Sequence, residues 1–303
     1  MPGEFDFIDW LGRQPLPSPQ RIERIAVGVG DDLAALTWTQ EDGLLLVGVD
    51  QVMDGVHFDS AVHTPRAIGR KAMNRNLSDC AAMACLPAAA VATLCLPTGV
   101  GVDYAKELFL GMQEAAGVYH CPVVGGDTGS WPGKLVVTVT ILGRSAGVTP
   151  VTRTGARPGD RIYVTGPLGG SIKGRHMTFS PRVDLARDLA KNHRITAMAD
   201  LSDGLLRDLR NICLASRVGA RLAAGRIPVH PDVGAADRDA GLVAAVSDGE
   251  DYELVLTSPD MLGPPCVDVG TVTDAPHLSI ETGKAEVTMA FDEIGGGGWE
   301  HDL

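Results

Sequence analysis

The sequence predicts a protein of the α/β or α+β class that folds into two domains. Its 303 residues are about twice the usual length of one domain. Short apolar runs of strand length alternate with helical patterns in both halves of the chain. Apolar residues make up 45% of the sequence, which is enough for a sizeable core. We place the boundary at residue 150, so that residues 1–150 form one domain and residues 151–303 the other.

The first half carries clear helix and strand signals. Thr64 and Pro65 are typical of a helix N-cap and a first helical position, and they predict a helix as far as Ala84. Asp103 is interpreted as the cap of a second helix. The apolar run LLLVGV suits a strand buried on both faces. We expect a short helix at residues 5–11, strands at residues 25–29, 44–49, 122–124 and 135–142, and a turn at the GGDT sequence of residues 125–128.

The second half repeats this alternation. We expect strands at residues 161–165, 252–256 and 267–269, and a helix directly after the DLSDG sequence of residues 200–204. The triplet Leu-Ser-Asp occurs at residues 77–79 and again at residues 201–203. This recurrence fits two domains that each contribute acidic residues to one cleft. The chain closes with a GGGGW sequence, which predicts a flexible arm that carries Trp299.

Composition and charge exclude several classes of protein. The net charge of −12 argues against a nucleic-acid-binding protein, which needs a basic surface. The N-terminal residues lack the features of a signal peptide, and no apolar stretch approaches the roughly 20 residues of a membrane span. The six cysteines show no metal-binding spacing. We therefore expect reduced thiols packed in the core, no membrane partner and a cytoplasmic location.

Six aspartates lie in short motifs that follow or interrupt apolar runs. A single aspartate there is typical of a turn or a helix cap. Several carboxylates at the mouths of buried elements are different, because cations would have to neutralise their charge. Mg²⁺ prefers oxygen ligands and is usually held by carboxylates together with substrate phosphates. The sequence therefore predicts a site for several Mg²⁺ ions, with Asp32, Asp50, Asp79, Asp127, Asp200 and Asp203 as the candidate ligands.

The absence of several sequence motifs limits the reactions that this chain is expected to catalyse. The sequence contains no GxxxxGK[ST] phosphate loop, no complete dinucleotide fingerprint, no protein-kinase signature and no GxSxG elbow. It also offers no obvious general base for activating an alcohol. A phosphate acceptor needs none, because its oxygen is already ionised at neutral pH. Catalysis then depends on alignment and on neutralisation of charge by Mg²⁺ and cationic side chains.

Seven motifs, taken together, resemble thiamine-monophosphate kinase, a family in the superfamily of aminoimidazole ribonucleotide synthetase and selenophosphate synthetase. The motifs appear in the order of that family and span most of the chain. They are GDD at residue 30, DQVMDGVHF at 50, GRKAMNRNLSDCAAM at 69, GGDT at 125, RTGARPGD at 153, DLSDGL at 200 and GEDYEL at 249.

The resemblance implies a two-domain fold whose N-terminal domains form a β-barrel across a homodimer. It implies transfer of the γ-phosphate of ATP to thiamine monophosphate, with Mg²⁺, by direct in-line displacement. Asp127, Asp203 and Arg153 would be the catalytic residues. ATP would contact Gly126, Asp127, Arg153 and Ser202, the metal ions would be held by the six aspartates named above, and thiamine monophosphate would face His57, Glu250 and Trp299.

The sequence departs from the family pattern at three places. Gly48 and Val49 replace hydroxyl residues before Asp50, Asp248-Gly249 replaces a glycine pair before Glu250, and the segment of residues 171–179 is short. These departures leave two alternatives open. One is an ATP-dependent enzyme of the same superfamily with another small phosphate or acyl acceptor. The other is a nucleotide-binding protein without catalytic activity.

Overall fold

The fold is described from a computed structural model of the chain. The structure describes residues 25–27, 31–37, 43–234, 238–282 and 285–296. The helix predicted at residues 5–11 and Trp299 lie outside these residues. Two mixed β-sheets with helices packed against them make up the described part, so the predicted mixed α/β class is confirmed. The boundary at residue 150 stays a prediction.

The first sheet contains six strands in the order β1-β2-β3-β6-β4-β5. All neighbours are antiparallel except β4 and β5, which are parallel. Buried and partly exposed residues alternate along β6, as expected for a strand with one face toward the core. The strands are β1 Ile25–Val27, β2 Ala34–Thr37, β3 Leu44–Met53, β4 Leu86–Pro97, β5 Val123–Trp131 and β6 Val136–Arg144.

Two helices, α1 (Pro65–Ala82) and α2 (Val102–Val118), pack against each other and α1 also packs on this sheet. The predicted start of α1 is confirmed, because the Thr64 hydroxyl accepts a hydrogen bond from the Ala67 amide at 3.3 Å. The two helices approach so closely that a Cβ on Gly69 would lie 2.0 Å from the carbonyl oxygen of Leu108. Glycine is therefore required at this crossing.

The second sheet contains seven strands in the order β13-β12-β9-β11-β7-β10-β8. Only β9 and β12 are parallel neighbours. The strands are β7 Arg161–Val164, β8 Ala197–Asp200, β9 Gly219–Ala223, β10 Leu254–Ser258, β11 Val267–Thr273, β12 Leu278–Glu281 and β13 Glu286–Met289. The helices of this half are α3 Val183–Asn192, α4 Leu205–Ser216 and α5 Arg238–Ser247. The helix predicted after the DLSDG sequence is confirmed as α4.

Helix α1 joins the two halves of the molecule. One side of it packs on β3 and β6, and it also contacts α3 and the end of β8 in the second half. Its residues Leu77 and Met73 are fully buried in the first core, whereas Ala81 belongs to a separate cluster that contains Met198 and Leu254. Side chains on α1 can therefore reach acidic residues of either sheet.

Three sequence-based predictions were wrong. The GGDT sequence is not a turn but the middle of β5, where Gly126 pairs with Ala92 of β4. The run at residues 44–49 is not buried on both faces, because Val49 is 63% exposed. Asp103 does not cap α2, which begins at Val102 after Gly101; its carboxylate instead pairs with Lys106 at 2.8 Å.

Other expectations agree with the structure. All six cysteines are free thiols, and five of them are buried. The strands predicted at residues 135–142 and 161–165 correspond to β6 and β7. Among the helices that the structure describes, none combines the length and apolar character needed to cross a membrane.

Candidate functional site

Three aspartates from distant parts of the chain meet at one place. Carboxylate oxygens of Asp32, Asp79 and Asp200 all lie within 4.8 Å of one another. Asp32 comes from the segment before β2, Asp79 from the last turn of α1, and Asp200 from the end of β8. We call these three residues the acidic cluster. It lies where the two sheets are joined by α1.

Ser78 ties the two Leu-Ser-Asp triplets together. Its buried hydroxyl donates a hydrogen bond of 2.6 Å to Oδ2 of Asp200. Asp200 directly precedes the second triplet, while Ser78 and Asp79 belong to the first. The segments that carry the two triplets therefore meet, with Asp79 of the first triplet close to Asp200, the residue before the second.

Three further carboxyl groups surround the acidic cluster. Asp31 and Asp208 were missed as candidates by the sequence analysis, whereas Asp203 was a predicted ligand. Burial, reinforced by the charge of Asp32, raises the pKa of Asp31 to about 7. Burial and the charges of Asp203 and Asp200 raise the pKa of Asp208 well above its usual value. So many carboxyl groups cannot all ionise in one partly buried place without cations.

Two carboxyl groups of the acidic cluster also have raised pKa values. Burial raises the pKa of Asp200 to about 7, and the charge of Asp32 adds to this. Burial also raises the pKa of Asp79, with further contributions from the charges of Asp200 and Asp50. The Oδ2 atom of Asp32 is buried and has no hydrogen-bond partner among the described residues. An oxygen-rich set of donors with an unused buried carboxylate atom fits a hard cation such as Mg²⁺.

Arg153 supplies one positive charge at this site. Its guanidinium donates to Oδ1 of Asp32 at 2.8 Å, and its backbone amide donates to Oδ2 of Asp31 at 3.0 Å. Ser216 fixes the same segment by donating its hydroxyl to the Arg153 carbonyl at 2.9 Å. The predicted ATP-binding arginine thus lies against the acidic cluster.

A second charged network lies next to the cluster and contains Asp50 and Glu250. Arg75 donates two hydrogen bonds to the Asp50 carboxylate, at 2.5 and 3.3 Å, and its Nη1 lies 3.5 Å from Oε1 of Glu250. Lys71 contacts the other oxygen of Glu250 and donates to the carbonyl of His57 at 2.5 Å. Burial lowers the pKa of the fully buried Lys71 to about 8. Neither basic residue was a candidate from the sequence.

The backbone around Glu250 is held in an unusual conformation. Glu250 and Tyr252 have φ values of 64° and 53°, which L-residues seldom adopt. The Glu250 amide donates to the Ser202 carbonyl at 2.7 Å, so this segment is joined to the second Leu-Ser-Asp triplet. Asp248, which stands where the family pattern has a glycine, accepts a hydrogen bond from the Gly170 amide at 2.8 Å. The additional carboxylate before Glu250 therefore has a hydrogen-bond partner. Strain of this kind is common where side chains must be positioned for function.

His57 lines a cavity of about 700 Å³ beside this network. Its buried ring accepts the Met53 amide on Nδ1 at 3.1 Å. Other basic groups in the wall are Lys134, Lys173, His63 and His176, and the rings of the last two make an edge contact. Residues 172–174 and 176 belong to the short segment that departs from the family pattern. Asp54 and Asp59 also line the wall, but the basic groups outnumber them, so the cavity is suited to a small anionic molecule.

Asp127 does not join the three aspartates of the acidic cluster within one chain. Gly126 and Asp127 are both exposed on β5, at the edge of the first sheet. The register runs from Asp50 on β3 through Val139 on β6 and Ala92 on β4 to Gly126. Three steps between strands separate Asp50 from Gly126 by roughly 14 Å along the sheet. Asp127 and Asp50 therefore cannot share a metal ion within one chain.

The sequence gives little indication that the four site residues not predicted from it belong to the site. Asp208 occupies the first turn of α4, five residues after Asp203, among the leucines that face the core. Asp31 is the first aspartate of the GDD motif. Lys71 and Arg75 sit in a helix where basic residues usually face solvent. Only the packing of α1 against both sheets shows that they are buried.

Comparison with known proteins agrees with this architecture. The model of the AIR synthase related protein N-terminal domain matches residues 30–145, and that of the C-terminal domain matches residues 173–283. A thiamine-monophosphate kinase of Rhodopirellula baltica is 40% identical over 245 residues, which cover 78% of this chain and 77% of that protein. The chain belongs to the thiamine-monophosphate kinase family.

Solved structures of the family show the same fold. The structure of AaThiL complexed with AMPPCP and TMP has a TM-score of 0.83 at 25% identity, and the match covers 99% of this chain and 97% of that one. Thiamine-monophosphate kinase from Stenotrophomonas maltophilia has a TM-score of 0.73 at 28% identity, with 91% and 95% covered. The family suggested by the seven motifs is thus confirmed.

Proposed function

We propose that the chain transfers the γ-phosphoryl group of ATP to thiamine monophosphate and so produces thiamine diphosphate and ADP. A phosphate oxygen of the acceptor bonds to the γ-phosphorus while the bond from that phosphorus to the ADP oxygen breaks. The observation that carries this proposal is the acidic cluster of Asp32, Asp79 and Asp200. The family to which the chain belongs supplies the identity of the acceptor.

Asp32, Asp79, Asp200 and Asp203 would hold Mg²⁺, which would supply positive charge to neutralise the phosphate oxygens. The chain's own residues do the rest. Arg153, fixed to Asp32, presents a permanent charge to the ATP phosphates. Ser202 lies on the loop that also carries Asp203, so it is suited to contact the nucleotide. The buried setting of these groups strengthens each electrostatic contact.

The acceptor would occupy the cavity beside His57 and Glu250. Lysine and histidine side chains in its wall can receive the phosphate of thiamine monophosphate. The carboxylate of Glu250, held by Lys71 and Arg75, suits the thiazolium cation. Trp299 stays a candidate for stacking on the aminopyrimidine ring. The cytoplasmic location also stays a prediction from the sequence.

We also propose that the working form is a homodimer. Val49, Val91 and Val124 are 63%, 39% and 63% exposed on neighbouring parts of the first sheet, and β5 offers an unpaired edge among the described strands. A second copy that covers this face would form the expected barrel. It would also bring its own Gly126 and Asp127 to the acidic cluster, which a single chain cannot do.

A different small acceptor is the second candidate function. The short segment of residues 171–179 forms part of the cavity wall, through two 3₁₀ turns at Ser171–Lys173 and Arg175–Met177. A change in this wall alters the shape of the acceptor pocket and leaves the acidic cluster intact. The chemistry at the cluster would then be the same and only the acceptor would differ.

One assay tests these candidates. Purified chain is incubated with ATP, Mg²⁺ and thiamine monophosphate, and nucleotide and thiamine products are separated by chromatography. We expect thiamine diphosphate and ADP in equal amounts, and neither when EDTA is added. ADP formation only with another phosphorylated or acyl compound would favour the second candidate. Tight binding of ATP with no turnover of any acceptor would contradict both and indicate a non-catalytic nucleotide-binding protein.

A further inference from the structure

The guanidinium of Arg75 lies in an unusual position for a basic side chain. It emerges from α1 one turn before Asp79 and is only 14% exposed. It binds both oxygens of Asp50 and also approaches Glu250. Asp50 in turn lies close enough to Asp79 for its charge to contribute to the raised pKa of that residue. Arg75 is therefore inserted between the metal-binding side and the acceptor side of the site.

The surroundings of Asp50 offer few other ligands for a metal ion. Gly48 has no side chain, and a Cβ there would lie 2.0 Å from Cδ2 of Leu33, which would have to shift to admit one. Val49 has an apolar side chain and is 63% exposed. Neither neighbour can supply a side-chain oxygen beside the Asp50 carboxylate. Paired hydrogen bonds from one guanidinium satisfy that carboxylate instead.

We propose that Arg75 is a resident cation that occupies the Asp50 carboxylate in place of a magnesium ion. The proposal rests on the proposed function, since it concerns how that site balances its charge. An arginine is charged at every pH that the protein meets, so this part of the site is neutralised without bound metal. The magnesium ions are then bound by Asp32, Asp79, Asp200 and Asp203. Asp50 is not a metal ligand in its own chain.

The same contact makes Arg75 a positioning residue for the acceptor side. Its Nη1 is buried, makes no hydrogen bond within the described residues and lies 3.5 Å from Oε1 of Glu250. Lys71 holds the other oxygen of Glu250. The two cations fix that carboxylate between them.

Counting bound metal ions tests the proposal without any turnover. The number of Mn²⁺ ions per full-length chain is measured by electron paramagnetic resonance, with AMPPCP and without thiamine monophosphate. We expect Asp50→Asn to bind as many ions as the unchanged chain, because Asp50 holds none. We expect Arg75→Met to bind one more, because the charge of Asp50, close to those of Asp79 and Glu250, is then no longer neutralised by arginine. The double variant should lose that extra ion.

The matched control is Arg70→Met on the same helix. Arg70 is 47% exposed and pairs with Glu114, away from the site, so its removal should leave the ion count unchanged. An Asp50→Asn chain that binds one ion fewer than the unchanged chain would overturn the proposal, as would an unchanged count in a folded Arg75→Met chain. Because no acceptor is present, failure to phosphorylate thiamine monophosphate does not affect this result.

Discussion

At the scale of single residues, Asp208 shows how the site depends on cations. It is 3% exposed, and its Oδ2 accepts the Asp203 amide at 3.1 Å. Its pKa and that of Asp200 are both raised by burial, the latter to about 7. The folded chain therefore holds more protons than the unfolded chain between about pH 4 and pH 7. These groups make the metal-free protein less stable as the pH rises through that range.

We expect Asp208→Asn to stabilise the metal-free protein at about pH 8 by on the order of 1–2 kcal/mol, because the amide keeps an acceptor oxygen and removes a buried charge. The same variant should gain less stability from Mg²⁺ than the unchanged chain. Urea unfolding with Mg²⁺ and with EDTA measures both effects. At about pH 3 the stabilising effect should disappear, since the carboxyl is then largely neutral in both the folded and the unfolded state.

The control for this change is Asp103→Asn. Asp103 has a 90% exposed side chain and pairs with Lys106 in the first turn of α2, so we expect a change within about 0.5 kcal/mol at either pH. A destabilising effect of Asp208→Asn at pH 8 without metal would contradict the inferred cost of the buried charge.

At the scale of elements, β5 depends on a glycine that lies close to its neighbour. Gly126 has a φ of 154°, and a Cβ there would lie 1.8 Å from the Ala92 carbonyl oxygen. The same strand contains Gly129, where an added Cβ meets nothing within 4 Å. Alanine substitutions at these two positions therefore distinguish a steric clash at Gly126 from the effect of replacing any glycine in this strand.

We expect Gly126→Ala to separate β5 from β4 and to lower the melting temperature by roughly 5 °C, which corresponds to about 1–3 kcal/mol of strain. Gly129→Ala should change it by about 1 °C or less. Differential scanning fluorimetry of both variants measures this, and AMPPCP binding should weaken only in Gly126→Ala. Equal effects of the two substitutions would argue against the close approach to Ala92.

The same elements show how far sequence reasoning extends. Caps and periodicity predicted α1 and α4, because these signals are local. The GGDT motif was wrongly assigned to a turn, since only pairing with β4 makes it a strand. The alanine-rich β4 was missed, because alanine is a weak strand former. The aspartates of the acidic cluster were predicted from their motifs, whereas the contact between Arg75 and Asp50 depends on tertiary packing of α1 against β3.

At the scale of the whole molecule, the site candidates fall into two groups that one chain does not bring together. Asp32, Asp79 and Asp200 meet at α1, while Asp127 lies on the exposed edge strand three strands away from β3. In the proposed dimer, a complete site combines the acidic cluster of one chain with Asp127 of the other. An inactive variant changed in the acidic cluster and an inactive variant changed at Asp127 can then form a mixed dimer that has kinase activity.

Mixing chains tests this arrangement. We expect Asp79→Asn and Asp127→Asn each to lose nearly all kinase activity alone. After the two are unfolded and refolded together, about a quarter of the activity should return, because half of the dimers are mixed and each has one complete site. The matched mixture of Asp79→Asn with Asp203→Asn should stay inactive, since both changes affect the cluster of their own chain. Dimers that exchange subunits without recovery in the first mixture would instead mean that each site is built within a single chain.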